Sequence, residues 1–167
     1  MKSILDQLSN YADYHRSTRN IATHLIGIPM IVVALMVLLS RPFWVVNDWV
    51  FSPAVCIVVV LLLYYLRLHL ALGLIMAALL GAGLLFSAWI ARLEDPWWLA
   101  IGVGGFFLGW VIQFVGHYFE GRKPAFFDDV MGLAIGPLFV LAEVLFKLGF
   151  FSELAQQIEA RSGPVRP

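Results

Sequence analysis

Residues able to do metal chemistry gather in two short blocks, "YHRSTRNIATH" at 14–24 and "QFVGHYFEGRKPA" at 113–125. In the second block Gln113, His117 and Glu120 stand at i, i+4 and i+7, so a helix carries them as one stripe. His117 and Glu120, one turn apart, can meet a metal ion at the end of that helix. In the first block Asn20 and His24 are likewise one turn apart, whereas His15 and His24 lie on opposite sides of any straight helix. For both to reach one ion the chain must break between them. The run "RSTR" provides the break, because Ser17 or Thr18 can cap a new helix after the first stops near Arg16. Imidazoles with a carboxylate suit Fe, Zn, Cu or Ni, and two histidines with one carboxylate and open positions is the arrangement of non-haem Fe(II) oxygenases. Four histidines are too few for a dinuclear iron centre, so an iron site here is mononuclear. Asn20 and Gln113 either hold the imidazoles by hydrogen bonds or bond between helices. Arg122 and Lys123 either anchor the chain at lipid headgroups or capture a lipid-borne anion such as a fatty acid carboxylate.

These blocks must be placed by a membrane protein. Of 167 residues, 61% are apolar and only 13% charged, and the mean hydropathy is +0.86, far above what a soluble domain needs. The formal net charge is zero, so nothing points to nucleic acid as a partner. The single Cys56 lies in an apolar run and reads as a small hydrophobe. The N-terminus lacks the apolar core of a cleavable signal, and Ile4, Leu5, Leu8, Tyr11 and Ala12 recur at helical spacing, which predicts an amphipathic surface helix within 1–19.

Five apolar segments follow, at 25–39, 50–66, 70–91, 97–116 and 130–151, of lengths close to the roughly 20 residues that cross a hydrocarbon core. Pro29 predicts a kink in the first. The pairs Gly105 with Gly109 and Gly132 with Gly136 predict close packing between the last two segments, and Glu143 with Lys147 reads as an ion pair. The expected fold is all-α: one domain, a polytopic bundle of four or five transmembrane helices over 20–151, an interfacial helix before it and a tail at 152–167. If the first four segments cross alternately, Lys2, Arg16, Arg19, Arg67, Arg122 and Lys123 share one side against Arg41 and Arg92, and the six-to-two bias makes that side cytoplasmic. His15, His24, His69 and His117 all fall on it, which makes His69 a candidate fourth ligand.

The blocks "YHRSTRNIATH" followed by "GIP", then "QFVGHYFEGRKPAFFDD", then "PLFVLAEVLFKLGF" resemble the membrane-bound 2-hydroxy fatty acid dioxygenases of phytosphingosine breakdown, a fungal family with bacterial relatives. The likeness runs from Tyr11 to Phe150. It implies an Fe(II)-dependent enzyme of the bacterial inner membrane or endoplasmic reticulum that shortens a 2-hydroxy fatty acid by one carbon with O2. Carried onto this chain, the family pattern covers His15, Asn20 and His24, then Gln113, His117, Glu120, Arg122, Pro124 and Asp128. Ligation and catalysis would fall to His15, His24, His117 and Glu120, with Asp128 among the supporting residues; His69 lies outside the blocks. Converting the 2-hydroxy acid to the shorter acid and CO2 removes four electrons, the number that reduces O2 fully, so no flavin, 2-oxoglutarate or reductase is required. Two other readings of the same residues stand beside this one: a zinc-dependent lipid hydrolase, and a metal or lipid carrier or scaffold whose histidines only anchor the interface.

Overall fold

Among the described residues, alternating long apolar runs and short polar breaks fold into seven helices and one small hairpin. The computed structural model describes residues 2–47, 49–125 and 129–167. The helices are α1 (Ile4–Ala12), α2 (Thr18–Ser40), α3 (Pro53–Leu68), α4 (Leu70–Ile90), α5 (Asp95–Glu120), α6 (Met131–Lys147) and α7 (Ser152–Ser162). Three of them, α2, α4 and α5, have 23, 21 and 26 residues and are apolar enough to cross a bilayer, and α6 with α7, bent by 115°, reaches that length and hydropathy only as a pair, in the manner of a broken span or a re-entrant loop. The protein is therefore an all-α integral membrane protein. The apolar α3 has 16 residues, about 24 Å of helix at 1.5 Å per residue. The chain divides into two compact units, 29–110 and the combination of 1–28 with 111–167.

In the unit 29–110, the expected segment at 50–66 starts late because Trp49–Phe51 forms β2, antiparallel to β1 (Trp44–Val46). Ser52 then caps α3, accepting from the Val55 N–H at 3.3 Å, and Pro53 occupies the first turn, where its missing N–H does no harm. Arg41 pairs with Asp95 at 2.6 Å and lies over the Trp98 ring, whose Nε1–H donates to the Val37 carbonyl at 2.9 Å. The Gly105 face meets Ala34 of α2.

The unit formed by 1–28 and 111–167 carries the two polar blocks. Ser3 and Asp6 close a capping box on α1, each side chain accepting the other's backbone N–H at 3.1 Å. Leu8, Tyr11 and Ala12, the apolar face expected to meet lipid, are buried and pack on α6 and α7. Gly136 of α6 faces Tyr11 and Ile28: a Cβ there would lie 2.9 Å from the Tyr11 hydroxyl and 3.1 Å from Ile28 Cδ1. Gly105 and Gly136, one member of each glycine pair, thus lie against Ala34 and against Tyr11 with Ile28. The segment at 130–151 is not one straight helix. Gly149 and Phe151 take positive φ of 85° and 54°, and α7 leaves at 115° to α6. The 152–167 stretch expected as a tail is folded: α7 packs on α1, Arg161 pairs with Asp6 at 2.7 Å, and Ser162 Oγ donates to the Ser9 carbonyl at 3.0 Å. Its low hydropathy hides it from an apolar count, yet Ala, Gln and Glu favour a helix and Ile158 supplies a buried anchor.

Candidate metal centre

The centre begins with the break between α1 and α2. α1 stops at Ala12, residues 13–17 turn, and α2 starts at Thr18, which brings His15 and His24 to one side. The first N–H groups of a helix have no partner within it. Here the Ser17 N–H donates to Glu120 Oε2 at 2.8 Å and the Thr18 N–H to the Arg166 carbonyl at 2.8 Å. The cap is therefore a carboxylate from the end of α5, aided by the favourable sign of the α2 dipole, and not the Ser17 or Thr18 hydroxyl. The last turns of α5 reach α2 because residue 116 is glycine: a Cβ there would collide with Thr23 Oγ1 and lie 2.5 Å from Asn20 Oδ1.

His15, His24 and His117 meet at this junction, all buried, with one ligand atom from each lying within 4.8 Å of the others. Their ring centroids are 4.3 to 5.0 Å apart. His15 stacks on Tyr11 at 4.2 Å, nearly parallel, and Phe139 packs on the His15 ring at 5.7 Å. Protonation can be read from partners. His15 Nδ1 is 2.7 Å from the Tyr11 carbonyl and His24 Nδ1 is 2.9 Å from the Asn20 carbonyl. A carbonyl only accepts, so each Nδ1 carries hydrogen and each Nε2 of a neutral ring carries a lone pair. Those two Nε2 atoms face each other at 2.9 Å. Protonating one would convert the contact to a hydrogen bond, but burial pushes the His15 imidazole well below its usual pKa, with the His24 charge acting in the same direction. Two converging lone pairs, a third imidazole beside them and the His117 Nδ1 buried without a hydrogen-bond partner form a set that fits a borderline metal ion.

Glu120, expected as a ligand, lies outside that group. Oε2 accepts from Ser17 N–H and from Asn20 Nδ2 at 3.0 Å, and Oε1 accepts from Arg166 Nη2 at 2.6 Å. Asn20 also donates to the Tyr14 carbonyl at 3.1 Å, so it ties the turn to α5 while its own carbonyl orients His24. Gln113 is buried one turn before His117, and its Nε2 has no hydrogen-bond partner. His69 belongs to the unit 29–110, where it sits between α3 and α4 and its Nδ1 accepts from the Leu72 N–H at 3.3 Å, capping α4. Arg122 is exposed and its Nη1 donates to the Asp13 carbonyl at 2.7 Å; Lys123 is exposed beside it, and Pro124 is buried. Asp128 lies outside the described residues.

A family model described as 2-hydroxy-palmitic acid dioxygenase Mpo1-like matches residues 1–148. The chain belongs to the Mpo1-like family. It is 34% identical over 155 residues to the 2-hydroxy-palmitic acid dioxygenase MPO1 of Saccharomyces cerevisiae, a span covering 92% of this chain and 86% of the yeast protein. No solved structure matches it.

The junction of this Mpo1-like chain also holds residues that spacing did not bring forward. Arg16 is buried, donating through Nε to the Ala12 and His15 carbonyls and through Nη1 to the Gly163 carbonyl. Its Nη2 lies 3.6 Å from Glu143 Oε1. Glu143 therefore faces the end of α1, while Lys147, the partner its spacing suggests, also acts on it through its charge. Arg166, from the C-terminal stretch, completes the set. Arg16 and Arg166 read in sequence as ordinary surface cations; only their partners reveal them.

Proposed function

We propose that this protein is an Fe(II)-dependent dioxygenase of 2-hydroxy fatty acids, with His15, His24 and His117 holding the metal. The observation that carries the reading is the pair of Nε2 lone pairs facing each other at 2.9 Å beside His117, inside a chain of the Mpo1-like family. The conversion balances as R–CHOH–COOH plus O2 giving R–COOH, CO2 and H2O. Bound Fe(II) supplies the redox chemistry that O2 requires to react with such an acid. The protein's own groups do the rest. The Tyr11 and Asn20 carbonyls fix the tautomers of His15 and His24. Tyr11 and Phe139 keep water from the His15 ring. Glu120 orients the start of α2 while staying outside the ligand set, and Asn20 supports the His24 imidazole through its carbonyl. Arg122 is anchored through one nitrogen and keeps its other donors for the carboxylate of an incoming fatty acid, with Lys123 adding charge. A membrane lipid environment suits the substrate's alkyl tail, and the charge bias of the sequence supports a centre at the cytoplasmic face.

The test is anaerobic reconstitution of the purified protein with Fe(II), followed by oxygen uptake and product analysis with 2-hydroxypalmitate. Pentadecanoic acid and CO2 in step with O2 consumption support the reading. A fully iron-loaded protein that consumes no O2 with any 2-hydroxy acid refutes it, and zinc retained together with lipid hydrolysis turns it into a hydrolase.

A further inference from the structure

The C-terminal stretch 163–167 lies beyond the residues matched by the family model, yet it is bound to the turn that carries His15. α7 ends at Gly163, whose φ of 80° turns the chain away from the helix. Pro164 and Pro167 then favour an extended path. That path pairs with the turn: the Arg166 N–H donates to the Arg16 carbonyl at 2.7 Å, and the Arg166 carbonyl accepts from both the N–H and the hydroxyl of Thr18 at 2.8 Å. Residues 17 and 166 form a parallel β-bridge, and the Gly163 carbonyl takes the Arg16 guanidinium. The Arg166 side chain meanwhile reaches Glu120 at the other side of the junction.

We infer that Arg166 is a positioning residue for the metal centre, acting through Glu120, and that the extended C-terminal segment is a strap holding His15 and His24 at ligating distance. The inference rests on the metal reading above. Glu120 has a side chain with no solvent exposure, whereas that of Arg166 is 61% exposed. A carboxylate so enclosed needs its charge matched if it is to stay ionised and accept from three donors. Arg166 provides that match from the open side at 2.6 Å. Glu120 Oε2 in turn fixes Ser17 N–H, two residues after His15, and Asn20 Nδ2, whose residue's carbonyl holds His24 Nδ1. One carboxylate therefore sets both imidazoles, and one guanidinium sets the carboxylate. Salt bridges with an exposed partner usually contribute little to stability; the effect expected here is on geometry.

The test uses the full chain in detergent and reads Co(II) affinity, the visible Co(II) spectrum, and hydrogen exchange at Ser17 and Thr18 in protein without metal. Arg166→Ala should weaken Co(II) binding by about 10 to 100-fold, the range typical for groups that orient metal ligands. It should also change the spectrum and speed exchange at both amides. Arg166→Lys, which keeps the charge and loses the planar fork, should recover part of the affinity. Arg161→Ala removes a different α1–α7 tie and should leave the spectrum unchanged. Wild-type affinity and spectrum in Arg166→Ala, or equal losses in Arg161→Ala, overturn the strap. Failure of the wild-type protein to bind Co(II), Fe(II) or Zn(II) sinks the metal reading instead, and the exchange rates at Ser17 and Thr18 then still show whether Arg166 holds the turn.

Discussion

Replacing Gly116 by alanine probes the contact on which the centre depends. The added methyl would collide with Thr23 Oγ1 and lie 2.5 Å from Asn20 Oδ1, against an ordinary contact of about 3.4 Å or more. Relief requires α5 to withdraw from α2 by roughly 1 Å. Overpacking of this kind costs about 1 to 3 kcal/mol, while alanine in a helix recovers up to about 1 kcal/mol relative to glycine. The net loss of stability is thus about 0 to 3 kcal/mol, small enough for the variant to fold. The three-histidine cluster is less forgiving, because His117 and Glu120 follow residue 116 on α5 while His24 and Asn20 sit on α2. A displacement of about 1 Å there is expected to lower turnover by about 100-fold and to weaken Fe(II) binding. Adding Thr23→Ala removes the nearer obstacle and should restore part of both, a coupling that a double-mutant cycle measures. The assay is oxygen uptake with 2-hydroxypalmitate beside Fe(II) titration and thermal unfolding of the four proteins. Wild-type iron affinity and turnover in Gly116→Ala would show that the two helices have room at residue 116 and that their approach does not set the centre.

Three further outcomes follow from the same geometry. His15→Ala, His24→Ala and His117→Ala should each abolish stoichiometric Fe(II) binding, whereas His69→Ala should keep it and lose only about 0.5 to 2 kcal/mol of stability as a helix cap; equal small losses at all four would favour the scaffold reading. The His15 imidazole is held neutral in the folded protein by burial and by the neighbouring His24, so the unfolded chain binds the extra proton below about pH 6.5, and stability of metal-free protein should fall by up to about 1.4 kcal/mol per pH unit for this group as the pH drops below that value. Thermal melts at pH 5.5 and 7.5 check this, and an unchanged slope in His15→Gln would assign the effect elsewhere. Arg122→Ala should raise KM for 2-hydroxypalmitate by about 10 to 150-fold at unchanged iron content, the value of a charge-assisted hydrogen bond of about 1.5 to 3 kcal/mol; a wild-type KM in Arg122→Lys would return Arg122 to a headgroup anchor.

The class of fold follows from composition, because a chain this apolar must satisfy its backbone within helices wherever it meets lipid. The two histidine blocks and the need for a helix break between His15 and His24 were legible for a similar reason, because i, i+4 spacing and cap residues act within a turn or two of chain, although the first helix ends at Ala12 and not near Arg16. Local order says nothing about what arrives from elsewhere in the sequence. The convergence of His117 on His15 and His24 depends on a missing methyl at Gly116. The capping of α2 depends on Glu120, roughly a hundred residues away in sequence, which spacing alone offered as a ligand. The C-terminal stretch reads as polar, and its role comes from backbone pairing with Arg16 and Thr18 together with an ion pair to Glu120. Residue types and periodicity thus determined which side chains can bind a metal. Tertiary structure decided which of them share one point in space, because long-range approach is set by packing and by buried charges finding partners, and neither leaves a periodic mark on the chain.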